Sequence, residues 1–219
     1  MNCEYIDDSG GCMKNKPEVW QPLSINKIGT IFAPIPLKWW IAGGWALDLY
    51  LRKQTRQHDD IDIVILQRDN KILQQFLHPE WELFKAHKGE LIRWRSDEFL
   101  HSKYDNLWVR KKGEKVWSYQ VMLLETDGDY WVYKREKTVR KFVNEIGMLS
   151  PEGIPYLRPE IQLLYKGGSS VLREKDETDL KNVIWKLAIS ERLWLKKALA
   201  KQFPAGHRWC DRIEMKRYE

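Results

Sequence analysis

Cysteine is scarce in this 219-residue chain, with Cys3, Cys12 and Cys210 the only three. An odd, widely spaced set offers neither a disulfide framework nor metal-ligand spacing. It reads as three reduced thiols in a cytoplasmic protein. His58, His78, His87, His101 and His207 likewise form no zinc pattern. No apolar run is long enough to span a membrane, so no membrane partner is expected. The opening MNCEYIDDSG is acidic and polar, unlike a signal peptide. Internal repeats and low-complexity tracts are also missing.

An excess of one charge is nearly missing too. Lys and Arg number 37 against 31 Asp and Glu, a net charge of +6. The basic residues are interspersed with acids, so there is no basic arm or stripe and no nucleic-acid partner is expected. The small excess suits solubility and local attraction for polyphosphate. What the chain has in quantity is tryptophan, 12 residues. Most should be core or half-buried, with some available to stack on a base or sugar.

The length suits one domain with an appendage, or two small domains. Residues 1–20 lack periodicity and read as a loose arm. Residues 23–33 predict a short helix capped by Ser24. A buried strand, LKWWIA, follows two helix-breaking prolines. Gly43 and Gly44 then open a helix from Trp45 to Leu51. A strand is predicted over Asp60 to Leu66 and a helix over Asn70 to Leu77. The runs WELFKA, ELIRW, NLWVRKK, VWSYQVMLLE and DYWVYKR predict β-structure, with KKGEK and TDGD as turns. SPEGIPYL reads as a linker, and Pro159 as a first helical residue. Helices are predicted over Glu174–Leu187 and Ser190–Phe203. The expected architecture is α/β (α+β), over residues 21–149, with a helical part over residues 150–219.

One segment carries most of the chemistry. Side chains alternate along a strand, so Asp60 and Asp62 project together while Ile61, Ile63 and Ile65 face a core. Two adjacent carboxylates repel unless a cation lies between them. Mg²⁺ suits such a pair, because it takes one or two carboxylates and fills its shell with water and phosphate oxygens. Gly43 and Gly44 allow close backbone approach at a helix N-terminus, where free N–H groups attract phosphate. Together these are the needs of a site for a nucleoside triphosphate.

GGWALDLYLRKQTRQHDDID resembles the signature of the nucleotidyltransferase-fold family that includes aminoglycoside 2''-adenylyltransferases and lincosamide nucleotidyltransferases. The matching residues are Gly43, Gly44, Trp45, Asp48, Thr55, Arg56, His58, Asp60 and Asp62. The resemblance implies a mixed, twisted central sheet flanked by helices. It implies Mg²⁺ on Asp60 and Asp62, and Gly43, Gly44, Arg56 and His58 at the nucleotide. ATP or another triphosphate would be the substrate, with a small-molecule hydroxyl as acceptor, an aminoglycoside or lincosamide antibiotic among the options. Asp48 reads as a helix-surface or loop-anchoring residue, and Asp59 as structural.

The family usually places a third acid on a central strand, as a metal ligand or proton acceptor. By position Gln120 occupies that slot, and an amide is no base and a poor metal ligand. Glu125, at the end of the same run, is the alternative. An amide there leaves a second reading open, a nucleotide-binding or regulatory module with impaired transfer. Further on, Lys166 and the run Lys175-Asp176-x-x-Asp179 match a lysine and a later [RK]-D-x-x-D that many such proteins carry close to the nucleotide, which puts Lys166 and Arg173 among the nucleotide-binding residues. Taken alone, Lys175, Asp176 and Asp179 read as a solvated helix start. No residue pattern specifies an oligomeric state.

Overall fold

The computed structural model describes residues 19–214. Cys3, Cys12 and nearly all of the expected N-terminal arm lie outside those residues. The part of that arm that is described is held in place. Trp117 N donates to Val19 O at 3.0 Å, and Gln21 N donates to Trp117 O at 2.9 Å.

In chain order the first elements are α1 (Ile25–Phe32), β1 (Trp39–Ile41), α2 (Gly43–Leu51), β2 (Asp62–Leu66), α3 (Asn70–Leu77), β3 (Trp81–His87), β4 (Glu90–Arg93), β5 (Asn106–Lys111) and β6 (Tyr119–Leu124). Then come β7 (Thr126–Asp127), β8 (Tyr130–Val132), β9 (Arg140–Phe142), β10 (Gly147–Leu149), β11 (Pro155–Leu157), α4 (Pro159–Gly167), α5 (Glu174–Val183), α6 (Ile189–Gln202) and α7 (Arg208–Glu214). The described residues up to Ile41, with His58–Leu124, form one compact unit. Ala42–Gln57 and the described residues from Glu125 onward form a second. This division departs from the sequence segmentation at 149/150, because the glycine turn and α2 group with the later helices.

The first unit is built on a mixed sheet with strand order β1-β2-β6-β5-β3-β4. Strands β2 and β6 run parallel, and the other neighbours are antiparallel. Its two faces differ. Ile63, Val121, Leu107 and Leu83 point to one face and are buried. Phe32 of α1 packs there, 5.9 Å from the Tyr119 ring and 5.2 Å from Trp39. Ser24 caps α1 as expected, accepting from Lys27 N. The opposite face carries a row of strand neighbours, Asp62, Gln120, Trp108, Phe84 and Arg93. All five are half-buried. Period-two alternation thus gives the sheet one fully buried side, while the other is half-buried along this row and buried again at Val64 and Leu66.

The second unit is mainly helical. Helix α4 is its hub, packing against α2, α5 and α6. Eight of its residues are buried, from Pro159 to Gly167 with Tyr165 excepted. The antiparallel sheet β7-β8-β9 belongs to this unit. The expected TDGD turn joins β7 to β8, with Gly128 at a φ of 55°. SPEGIPYL is not a linker. It forms the turn and second strand of the hairpin β10–β11. Ser150 explains the tight turn, since its N donates to Ile154 O and its Oγ accepts from Ile154 N. The helix expected over Glu174–Leu187 stops at Val183 and tightens into a 3₁₀ turn, Ile184–Lys186. Cys210, half-buried, is in no disulfide. Among the described residues no helix is long and apolar enough to cross a membrane.

Candidate active site

Asp62 opens β2, and Asp60 lies two residues before it. Both are half-buried, whereas Ile61, Ile63 and Ile65 are fully buried. Asp59 is exposed and His58 is buried. The parallel register sets Gln120 of β6 beside Asp62. Gln120 N donates to Ile61 O at 3.0 Å, extending the ladder past the strand end. Its side-chain Nε2 donates to Asp60 Oδ2 at 3.3 Å. Gln120 is therefore laterally adjacent to the carboxylate pair, where the sequence reading set the third acid. A further residue joins it: Asn106 Nδ2 of β5 donates to Gln120 Oε1 at 3.0 Å.

The donor set suits a hard divalent cation. The two carboxylates supply oxygen only, as Mg²⁺ prefers, while Gln120 turns its Nε2 to Asp60 and its Oε1 to Asn106. Among the described residues no group of three or more His, Cys, Asp and Glu is arranged to hold a metal. A two-carboxylate site accords with that, since water and phosphate oxygens complete the Mg²⁺ shell. The polar face continues into rings. Trp108 lies 4.8 Å from Trp20 and 5.3 Å from Trp117. A cavity of about 400 Å³ next to Asn106 is lined by His87, Glu90, Asp105 and Trp108 among others.

In the second unit, Gly43 begins α2 at a φ of 66°, a conformation that favours glycine. Its N–H donates to Gln162 Oε1 of α4 at 2.9 Å. Asp48 is buried and anchors the loop after α2. Its Oδ1 accepts from Thr55 Oγ1 at 2.6 Å and from Thr55 N at 3.1 Å. That is the loop-anchoring role read from the sequence.

Arg56, Lys166 and Arg173 converge on two buried acids. Lys166 Nζ lies 2.8 Å from Asp179 Oδ2 and 3.3 Å from Asp176 Oδ1. Arg56 bonds Asp179 through Nε and Nη2, at 3.1 and 3.2 Å. Arg173 bonds Asp176 through Nε and Nη2, at 2.8 and 3.0 Å. Asp176 and Asp179 are 0% and 2% exposed, so this is no solvated helix start. Burial would raise the Asp176 carboxyl. The Arg173 hydrogen bonds and the Lys166 charge outweigh it and hold the group below its ordinary value. Glu125 is elsewhere engaged, in an ion pair with Lys137. Asn106 and Gln162 were missed from sequence. Asn106 had one signal, its phase with Trp108 in an alternating strand.

Residues 24–183 match the model of the aminoglycoside-2''-adenylyltransferase family. The chain belongs to this family. A lincosamide resistance protein of Staphylococcus haemolyticus is 23% identical over 154 residues, covering 70% of this chain and 88% of that protein. The solution structure of the antibiotic-resistance factor ANT(2'')-Ia is similar with a TM-score of 0.53 and 16% identity, over 83% of this chain and 91% of that one. Crystalline ANT(2'')-Ia with adenylyl-2''-tobramycin gives a TM-score of 0.52 and 13% identity, over 83% and 95% of the two chains. These likenesses establish a nucleotidyltransferase fold, as the family resemblance implies.

Proposed function

We propose that this family member transfers a nucleoside monophosphate from a triphosphate, ATP first among them, to a hydroxyl of a small molecule. The observation that carries the reading is the Asp60/Asp62 pair at the head of β2, with Gln120 in register beside it. In this reading Asp60 and Asp62 would hold Mg²⁺, which would supply charge neutralisation for the phosphates. The family resemblance assigns Gly43 and Gly44 to the triphosphate; the Gly43 N–H is already bonded to Gln162 Oε1, which leaves Gly44 as the backbone donor to test. The acceptor oxygen bonds to the α-phosphorus as the α–β bridging P–O bond breaks, and pyrophosphate leaves. Most of the rate would come from positioning and charge neutralisation. Gln120 cannot take the hydroxyl proton, so Glu125 remains the candidate base.

Antibiotic acceptors are the first class to test, because the relatives are named for lincosamide resistance and an adenylylated tobramycin. The cavity beside Asn106 offers Glu90, Asp105 and Trp108 to an amino sugar, with Lys88 and His87 also in its lining. Arg56, Lys166 and Arg173 would act on the nucleotide only through the field of their cluster, since each is bonded to Asp176 or Asp179. A cytoplasmic setting, where ATP is available, completes the proposal. Gln120 motivates a second reading, a nucleotide-binding module with impaired transfer.

One assay separates the two. Triphosphates labelled at the α-phosphate are incubated with lincosamides and aminoglycosides, with and without Mg²⁺. Label appearing on an acceptor, abolished by Asp60→Asn with Asp62→Asn and slowed by Glu125→Gln, is the expected result. Metal-dependent nucleotide binding without transfer to any acceptor would favour the binding module.

A further inference from the structure

The hydrogen bonds around Gln120 form a line with a single anchor. Asn106 Nδ2 donates to Gln120 Oε1, and Gln120 Nε2 donates to Asp60 Oδ2. An ionised carboxylate only accepts, whereas an amide presents a donor at one end and an acceptor at the other. Asp60 therefore dictates which end of Gln120 faces it, and Gln120 dictates which end of Asn106 faces Gln120. The far end of the line is unanchored: Asn106 Oδ1 is buried and accepts no hydrogen bond. No hydrogen bond at that end fixes the orientation of the Asn106 amide.

A divalent cation on Asp60 and Asp62 would reverse the demand at the anchored end. Positive charge repels an amide NH₂ and attracts a carbonyl oxygen. We propose that Gln120 and Asn106 form a coupled amide switch, which turns as a pair when a divalent cation binds and presents Gln120 Oε1 to the cation as a neutral oxygen ligand. After the turn, Gln120 Nε2 donates to Asn106 Oδ1, so the bond between the two amides survives with its direction reversed. Asn106 is thus a positioning residue. It holds Gln120 in either orientation, and it lets an amide serve where a third carboxylate is expected. The inference rests on the reading of Asp60 and Asp62 as the metal site.

The test is an Mg²⁺ titration of the full chain, without nucleotide, followed by NMR. Four signals are read: the backbone amides of Asp60 and Asp62, and the side-chain NH₂ groups of Asn106 and Gln120. The switch predicts that all four move with one common midpoint. Asn106→Leu should weaken Mg²⁺ binding by about tenfold, as loss of an outer-shell partner does. In a Gln120→Leu background the same substitution should have no effect. Asn106→Asp, whose carboxylate can only accept, should favour the metal-bound orientation and tighten Mg²⁺ binding. Metal-free thermal melting of each variant checks that it folds. If Asp60 and Asp62 respond while both side-chain amides stay still, the switch is wrong and the metal site stands. If Asp60 and Asp62 do not respond either, both fall.

Discussion

At Lys166 the ammonium sits between Asp176 and Asp179, and all three side chains are nearly inaccessible. Without Lys166, Asp176 keeps Arg173 and Asp179 keeps Arg56, so what is lost is the charged hydrogen bonds of one buried ammonium. Lys166→Met keeps the stem but drops the charge, and should destabilise the free protein by about 2 kcal/mol. Thermal melting without ligand checks this. An unchanged melting temperature with weakened nucleotide binding would instead make Lys166 a direct nucleotide ligand. The same cluster sets an acid limit. The Asp176 carboxyl is depressed in the folded state, so its stabilisation is present above the unfolded value of about 3.9. It is lost as pH falls through the lower folded value. Asp176→Asn should melt lower at neutral pH but lose less stability than the natural protein on acidification below about pH 4. Melting curves across pH give the comparison. Asp60 and Asp62 were legible in the sequence, because period-two alternation is local. The burial of Lys166, Asp176 and Asp179 was not, because K-D-x-x-D looks the same on a solvated helix and on a packed one. Gln120 adds a charge test. Gln120→Asp sets a third carboxylate beside Asp60, which should tighten Mg²⁺ binding in calorimetry. The same change should lower the metal-free melting temperature by like-charge repulsion.

At the scale of elements, β3, β5 and β6 follow their apolar alternation, β1 and β2 are buried on both faces, and α1 starts where Ser24 caps it. Hairpin β10–β11 escaped notice because three-residue strands are too short to show alternation, and Pro and Gly in SPEGIPYL suggested a connector. The end of α4 held a second surprise. Gly167 and Gly168 look like an ordinary helix stop after Lys166, yet both are points of close packing. A Cβ on Gly168 would press on the Tyr133 hydroxyl and lie 2.5 Å from Gln202 Oε1 and 2.9 Å from the Leu164 carbonyl oxygen. A Cβ on Gly167 would lie 2.7 Å from the Trp209 ring. Backbone cannot yield as a flexible side chain can. Gly168→Ala should therefore cost about 1–3 kcal/mol by overpacking, read as a lower denaturation midpoint. No change in midpoint would mean that α4 and its neighbours adjust freely.

For the molecule as a whole, the family was legible because its signature is contiguous. GGW, the short helix, TRxH and DxD lie within residues 43–62. The division into two units was not legible, because it cuts that signature and assigns its halves to different units. Nor could the sequence show that Arg56 of the signature pairs with Asp179, 123 residues later. The central claim is that Asp60 and Asp62 bind the divalent metal of a triphosphate. Its most direct measurement is a thermal melt of the natural protein and of the Asp60→Asn, Asp62→Asn double variant, with ATP and either Mg²⁺ or EDTA. With ATP·Mg²⁺ at about 100 times its dissociation constant, the natural protein should gain about 2.7 kcal/mol. The account predicts that the Mg²⁺-dependent part of this gain vanishes in the double variant. An equal Mg²⁺-dependent gain in both proteins would contradict it.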